Sequence, residues 1–420
     1  MKQLLYFLRI RRNPTRSRER IDRIRADGLR RIILSAYENT EYYKRLFDEH
    51  DIDPRTVTAE TISRIPMMTK QQLRDAGEAV HSRKFGEHEV IMEKTGGSTG
   101  KPLAIRTSKD AIAILQAAKL RIYVDHGYKL TQKICSFLFY DAAKKFYHRF
   151  GIHRMYSIPP LMPMNDMVDF LQTLDAQVFD GYPSRIASIA RHVKENGIEG
   201  IKPTLVFTNS ETIQEKDRAI IREQFVDPID IYVSYEFKFI ACECELRNGM
   251  HINEDLVHVE IVDPKTGDPV PNGVAGEIVI TGFSNEAMPF IRYNTEDVGT
   301  IAESPCACGR PFTLLKNVLG RVSDFIVLKS GERVLGQPCF ARALGAVGLY
   351  DKVVRFQATQ RSDGSIDLAL DGEDLAESEV KALLDELAKT LGNIEVRLLP
   401  ASAVKRTKRG KYRVFKSELS

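Results

Sequence analysis

Glu93-Lys94-Thr95-Gly96-Gly97-Ser98-Thr99-Gly100-Lys101-Pro102 sets glycines, hydroxyls and a lysine between an apolar run ending at Ile91-Met92 and a second one, Leu103-Ala104-Ile105. Glycines let backbone amides approach an anion closely, the hydroxyls add donors, and Lys101 brings positive charge. That composition suits a polyphosphate. It is not the P-loop pattern G-x-x-x-x-G-K-[S/T], because position 95 is threonine and Lys101 is followed by proline. Leu103 to Thr107 reads as a strand, so no helix N-terminus follows to hold the phosphate. A Gly-rich hairpin turn without a ligand has the same local composition. The choice between the two rests on segments farther along the chain.

At 420 residues the chain is too long for one ordinary domain, and two or three are expected. Hydrophobic content of 43% with 28% charged residues describes a globular protein with a sizeable core. The net charge of +4 conceals an asymmetry: residues 1–31 carry eleven Lys/Arg against three acids, and residues 405–416 seven against none. Basic ends on an acidic body argue against a nucleic-acid-binding domain, which would spread its cations over one face. No run approaches the ~20 apolar residues of a membrane span. The opening MKQLLYFLRIRR has neither a signal-peptide core nor a cleavage site, and a cytoplasmic protein is expected. That opening reads as a solvated basic helix, with weak contact to an anionic membrane surface as the alternative.

The chain alternates short apolar strands with amphipathic helices, the pattern of an α/β sheet covered on both faces. Helices are expected over residues 17–48, after Thr69, and over Lys109–Tyr128, Ser184–Asn196 and Glu215–Phe225. Strands are expected over Ile134–Tyr140, Ala176–Asp180, Thr204–Thr208 and Ile229–Ser234. Antiparallel strands follow at Val257–Val262 and Glu277–Thr281. Past Gly320-Arg321-Val322-Ser323-Asp324 the character changes. Strands Phe325–Leu328, Val353–Thr359 and Ile366–Leu370, a helix Glu377–Leu391 and a last strand Ile394–Leu399 predict a separate α+β unit of about one hundred residues.

Five segments stand in order: Thr95–Pro102, Tyr232-Val233-Ser234-Tyr235-Glu236, Arg292-Tyr293-Asn294-Thr295-Glu296-Asp297, Gly320–Asp324 and Lys405-Arg406-Thr407-Lys408-Arg409-Gly410-Lys411. Together they resemble the adenylate-forming superfamily of acyl-CoA synthetases, adenylation domains and luciferases, and most of all its phenylacetate–CoA ligase-like branch, with relatives in capsule biosynthesis. The resemblance runs from about residue 35 to the end. It implies a large N-terminal α/β domain, 1–321, followed by a small mobile α+β lid, 322–420. It also implies AMP-forming activation of a small-molecule carboxylic acid, with the acyl group then passed to coenzyme A. An amine acceptor or a non-catalytic ATP-binding relative are the rival readings, and a homodimer stays open.

Roles follow from the matching positions. Thr95, Gly96, Gly97, Ser98, Thr99, Gly100 and Lys101 would wrap the pyrophosphate of ATP. Glu236 would bind Mg²⁺, a cation that prefers hard oxygen ligands. Tyr232 on one side and Ser210-Glu211 on the other would flank adenine. Asp297 would accept both ribose hydroxyls, and Arg321 would lie near ribose and phosphate. Asp324 matches the hinge, and Lys411 the lysine that reaches the substrate carboxylate and α-phosphate. Gly96, Val233 and Glu296 depart from the family's serine, glycine and glycine, which puts the detailed nucleotide geometry in question. The acid is not legible, although Phe137, Phe139, Tyr140, Tyr182 and Pro183 are candidate pocket residues.

Cys135 and Cys339 are isolated and read as inert core thiols. The remaining four cysteines fall in two close pairs, and with no secretory signal a metal explains them better than disulfides. Cys244-x6-His251 with Cys306-x-Cys308 offers four soft or borderline ligands suited to tetrahedral zinc, against four reduced cysteines as the alternative. Some members of the resembled branch carry a Cys/His zinc site here, which favours a closed structural Zn²⁺ site. Cys242 is a substitute ligand, and His258 reads as a sheet residue.

Overall fold

The computed structural model describes residues 2–94, 103–138, 146–159, 162–350, 352–406 and 412–419. Strands are β1 Val90–Lys94, β2 Ala104–Ser108, β3 Ile134–Ser136, β4 Met155–Ser157, β5 Val178–Gly181, β6 Leu205–Asn209, β7 Ile229–Ser234, β8 Lys238–Glu243, β9 Met250–Ile252, β10 Val257–Val262, β11 Gly276–Gly282, β12 Tyr293–Ile301, β13 Leu314–Arg321, β14 Phe325–Val327, β15 Arg333–Leu335, β16 Val353–Gln360, β17 Ile366–Gly372, β18 Val396–Leu399 and β19 Phe415–Ser417. Helices are α1 Lys2–Ile10, α2 Arg18–Asn39, α3 Glu41–Glu49, α4 Lys70–Ala76, α5 Lys109–Asp125, α6 Met164–Leu174, α7 Pro183–Glu195, α8 Glu215–Gln224, α9 Gly336–Ala346 and α10 Glu377–Leu391. The chain divides into two compact units, most of residues 1–318 and, in the main, residues 319–420.

Eleven strands of the larger unit form one sheet in the order β10-β11-β12-β13-β9-β8-β7-β6-β5-β3-β4. From β4 to β7 all neighbours are parallel. At β8 the direction reverses, and the pairs of β8 with β7 and with β9 are antiparallel. The parallel half reads as short continuous apolar runs because it is buried on both faces: every residue of β3 and β5 is buried. The α/β class expected from the strand–helix alternation is the observed one.

Local signals set the helix starts. Ser17 caps α2 by accepting from the Arg20 amide, and Thr40 caps α3 by accepting from Tyr43. Thr69 and Gln72 form a reciprocal capping box at α4, in agreement with the N-cap assigned to Thr69. Helix α2 buries Ile21, Leu29, Ile32, Ile33 and Ala36. Its Gly28 permits the approach: a Cβ there would lie 2.7 Å from the Phe283 ring. A buried ion pair joins Arg121 of α5 to Asp255, and Arg121 also donates to Asn253 Oδ1 at 2.8 Å. Asn13 donates to the same Asp255 at 2.7 Å, which fixes the start of the chain to the β9–β10 connection.

The smaller unit pairs β16 with β17 antiparallel and flanks them with β18 and β19, each parallel to its neighbour. Its own core includes Phe340, Phe356, Leu368, Leu383, Leu387 and Phe415. Three expectations change here. Ile394–Leu399 is not the last strand, because β19 adds across β16. Helices α6 and α9 and strands β8, β9 and β13 went unread, although the buried Met167, Val168, Leu171 and Leu174 of α6 stand at helical spacing. The strand at Ile134 ends at Ser136 rather than Tyr140.

Candidate active site and metal centre

Strands β5, β6 and β7 run parallel with Gly181 beside Thr208 and Asn209 beside Ile231, so all three end at one edge. Tyr182-Pro183, Ser210-Glu211 and Tyr235-Glu236 leave from that edge. Ligands of open α/β sheets bind outside the carboxyl ends of the strands, where the strand order or direction switches. Here the direction switches at the β7–β8 turn.

The loop after β6 is held from beneath. Asn209 donates to Asp180 Oδ1 at 2.9 Å, and Asp180, 1% exposed, pairs with Lys119 Nζ at 2.8 Å. Ser210 takes φ 68°, a left-handed turn, and its hydroxyl donates to Asn209 at 2.8 Å. Thr208 donates to Asp230 Oδ1 at 2.7 Å. Burial, with the neighbouring Glu243 charge adding to it, pushes the Asp230 carboxyl up to about 7. Neither Asp180 nor Lys119 belongs to a recognisable motif; a charged pair set in apolar surroundings was the only signal available.

Two of the assigned residues meet directly. Tyr232 donates its hydroxyl to Asp297 Oδ2 at 2.6 Å. The Tyr232 ring packs into the core and is 8% exposed. Tyr293, from the same segment as Asp297, donates to Glu236 Oε1 at 3.2 Å. Glu236 lines a small cavity with Leu115, Phe237, Leu256, Ser284 and Phe290. Arg292 anchors this segment, pairing with Glu260 and donating to the carbonyls of Ser63, Ile65 and Gly267.

Of the residues that depart from the family pattern, Glu296 has a clear physical reading. It lies in the left-handed region at φ 62°, with its amide bonded to Asn294 Oδ1 and its side chain exposed. A glycine adopts that conformation freely, whereas a side chain costs about 1–2 kcal/mol. Glycine loses about 0.5–1 kcal/mol more backbone entropy on folding. Glu296→Gly is therefore expected to stabilise the protein by roughly 0.5–1 kcal/mol, read as a higher denaturant midpoint at unchanged m. A lower midpoint would show that the glutamate makes a compensating interaction. Val233 sits at a β-bulge with half-buried packing, and no positive φ calls for glycine there.

Residues 95–101 lie outside the described residues, as do Phe139, Tyr140 and Lys411. The root of the Gly-rich loop is described. β1 and β2 pair antiparallel from Val90–Ser108 to Lys94–Ala104, so the loop joins the arms of a hairpin. Glu93 at that root pairs with Lys238 Nζ at 3.1 Å and accepts from Thr107 at 3.4 Å. Lys238 opens β8, so the hairpin root is tied to the turn that carries Glu236. Glu93 and Lys238 were missed, since 145 residues separate them.

In the smaller unit, Asp324 accepts from the Arg321 amide at 2.7 Å and from Arg413 Nη2 at 2.9 Å. Gly320 takes φ +120°, and a Cβ there would meet Asp324 Oδ2 at 3.1 Å. Arg413 also donates to Ser323 Oγ at 2.6 Å. The carboxylate assigned as the hinge thus ties its own turn to the segment that follows residue 411.

Cys244, His251, Cys306 and Cys308 present one ligand atom each, all within 4.8 Å of one another. Cys244 Sγ lies 3.8 Å from Cys306 Sγ, and Cys308 Sγ lies 3.2 Å from His251 Nε2. Zinc–thiolate bonds of ~2.3 Å at tetrahedral angles place sulfurs about 3.8 Å apart, so the donor set fits that ion. His251 Nδ1 lies 3.0 Å from the Phe312 carbonyl; donating there leaves the Nε2 lone pair for a metal. Burial pushes the Cys308 thiol up to about 12. Burial also raises Cys306, but the Cys308 amide and neighbouring thiols outweigh it and hold Cys306 below its ordinary value. Cys242 is not in the cluster; its thiol donates to the Glu243 carbonyl. His258 is buried on β10, a sheet residue.

A half-parallel, half-antiparallel sheet, a separate small unit and polar residues at the strand ends form the fold and candidate site to which the comparisons are made. No family model matches the sequence. The chain is 28% identical over 375 residues to a phenylacetate-coenzyme A ligase from Thermus thermophilus, covering 84% of this chain and 81% of that protein. It is 25% identical over 313 residues to Protein CapK from Staphylococcus aureus, covering 69% and 65%. Among solved structures it resembles 2-hydroxyisobutyryl-CoA ligase in the postadenylation state with R3-HIB-AMP, at TM-score 0.78 and 18% identity, over 97% of this chain and 91% of that one. It also resembles ATP-bound MatB from Rhodopseudomonas palustris, at TM-score 0.54 and 16% identity, over 79% and 68%. In sequence the chain is thus similar to phenylacetate-coenzyme A ligases and CapK, the branch its motifs resemble, and in fold to acyl-CoA ligases.

Proposed function

We propose that this chain is an AMP-forming acid–thiol ligase, joining a carboxylic acid to coenzyme A through an acyl-adenylate. The observation that carries the reading is that Ser210 and Glu236 follow the carboxyl ends of β6 and β7 while Tyr232 of β7 bonds Asp297 of β12, 65 residues away in sequence. Asp297 offers a carboxylate to the ribose hydroxyls, and Tyr232 holds it in place. Glu236, oriented by Tyr293, would supply an oxygen ligand to the Mg²⁺ that accompanies the nucleotide. Ser210-Glu211 borders the adenine.

Attack of a carboxylate on the α-phosphorus gathers negative charge between two anions, so positioning and electrostatic stabilisation carry most of the catalysis. Residues 95–101 would take the pyrophosphate, Arg321 the ribose and phosphate, and Lys411 the carboxylate. A boundary at 321/322 with the hinge at Asp324 would let the small domain exchange Lys411 for the thiol entrance between half-reactions. Cys244, His251, Cys306 and Cys308 would hold a structural Zn²⁺ that pins β8, β9 and the loop before β13 together.

Acid-dependent ATP–pyrophosphate exchange across aryl, acyl and amino acids tests this reading. Exchange with at least one acid, followed by stoichiometric loss of coenzyme A thiol and release of AMP, is expected. Exchange without thiol consumption would move the acceptor to an amine. ATP binding with no exchange for any acid would reject catalysis.

A further inference from the structure

Helix α1 lies along α5 in the same direction. Lys2 Nζ pairs with Asp110 of the first turn of α5 at 2.6 Å, and the Ile10 carbonyl accepts from Arg121 near its end at 3.3 Å. Tyr6, Phe7 and Ile10 turn inward: Ile10 is 8% exposed and the two aromatics pack on the core. At 100° per residue these positions fill one side of the helix, and residues 4, 5 and 8 fall on the opposite side. A docked surface helix would carry polar groups there. Instead Leu4, Leu5 and Leu8 are 58%, 60% and 49% exposed.

Exposed cations follow the leucines directly along the chain. Arg9 lies in the last turn of α1, Arg11 and Arg12 in the turn that follows it, Arg16 and Arg20 come after, and no acid occurs before Glu19. We propose that α1 is an interfacial anchor that lays Leu4, Leu5 and Leu8 into an anionic lipid surface, with these arginines on the phosphates. Charge decides between the occupants. A second copy meeting the same patch about a two-fold axis would set one arginine cluster against another. An anionic bilayer neutralises the cluster and accepts leucines at the headgroup boundary. A groove-binding helix would need anchors over two or more turns, and here the apolar arc ends at Leu8. One short apolar arc plus a basic cluster gives reversible binding. The proposal is independent of the ligase reading.

The full chain is mixed with phosphatidylcholine vesicles, with and without about one-third phosphatidylglycerol, and sedimented. Wild type should bind the anionic vesicles, much less the neutral ones, and lose affinity as salt rises. The triple variant Leu4→Ser, Leu5→Ser, Leu8→Ser should bind at least about tenfold more weakly with an unchanged melting temperature, because these side chains are already exposed. Arg11→Gln with Arg12→Gln should also weaken binding. Equal binding to neutral and anionic vesicles would overturn the proposal. So would full binding by the leucine variant, or a solution dimer that the leucine variant splits, which would assign the patch to a second copy. Capture of an acidic protein by the wild-type patch with no vesicle binding would likewise reject it.

Discussion

Lys411→Ala is expected to slow acyl-adenylate formation about 10³-fold, roughly 4 kcal/mol of transition-state stabilisation, the scale of losing one preorganised donor to a developing anion. Thioester formation from supplied adenylate should run near the wild-type rate, because the lysine belongs to the first half-reaction alone. Lys411 itself lies outside the described residues, but the chain immediately after it is fixed. Tyr412 is buried and donates its hydroxyl to the Phe356 carbonyl, and Arg413 binds both Ser323 and Asp324. The residues beside the proposed hinge and those beside the lysine therefore form one hydrogen-bonded unit. Pyrophosphate exchange and single-turnover thiolysis read the two half-reactions separately. Equal loss in both, with melting unchanged, would count against a lysine that acts only in adenylation.

The second large effect concerns the metal. Protein purified without chelators should carry about one zinc per chain, and Cys306→Ser or Cys308→Ser should remove it. Losing the ion leaves polar ligands in a buried pocket and frees three segments that it joins. A cost of several kcal/mol is expected, on the order of a 10 °C fall in melting temperature for a unit of this size. Cys242→Ser should keep its zinc, since that thiol points to the Glu243 carbonyl outside the cluster. Metal analysis finding no zinc, with all four thiols readily titrated, would leave the cluster as four reduced side chains.

The candidate zinc ligands show how far a sequence carries. Two Cys pairs and a histidine were visible, and their softness pointed to a tetrahedral ion. The four expected to meet, Cys244, His251, Cys306 and Cys308, are the four whose ligand atoms lie within 4.8 Å, but that Cys242 stays outside and that residues 62 apart close up is decided by the fold. Strand β9 brings them together: His251 pairs across to Cys242 on one side and to Leu314 on the other. The residues proposed to bind the nucleotide behave similarly. Tyr232, Glu236 and Asp297 were legible because each sits in a short ordered segment. Their supports, Lys119–Asp180 and Glu93–Lys238, were not, because an ion pair between elements distant in sequence has no local spacing.

By itself the sequence determined what depends on near neighbours along the chain: the helix start at Thr69, the alternation of strands and helices, and the chemical type of each candidate ligand. Tertiary structure alone decided what depends on pairing between distant segments. It set the reversal of strand direction at β8 and the hydroxyl of Tyr232 on Asp297. It also decided the face of α1, apolar on both sides: packing against α5 and the core takes Tyr6, Phe7 and Ile10 and leaves Leu4, Leu5 and Leu8 outside. A hydrophobic side chain states only that leaving water is favourable, and which surface receives it is settled by the whole fold.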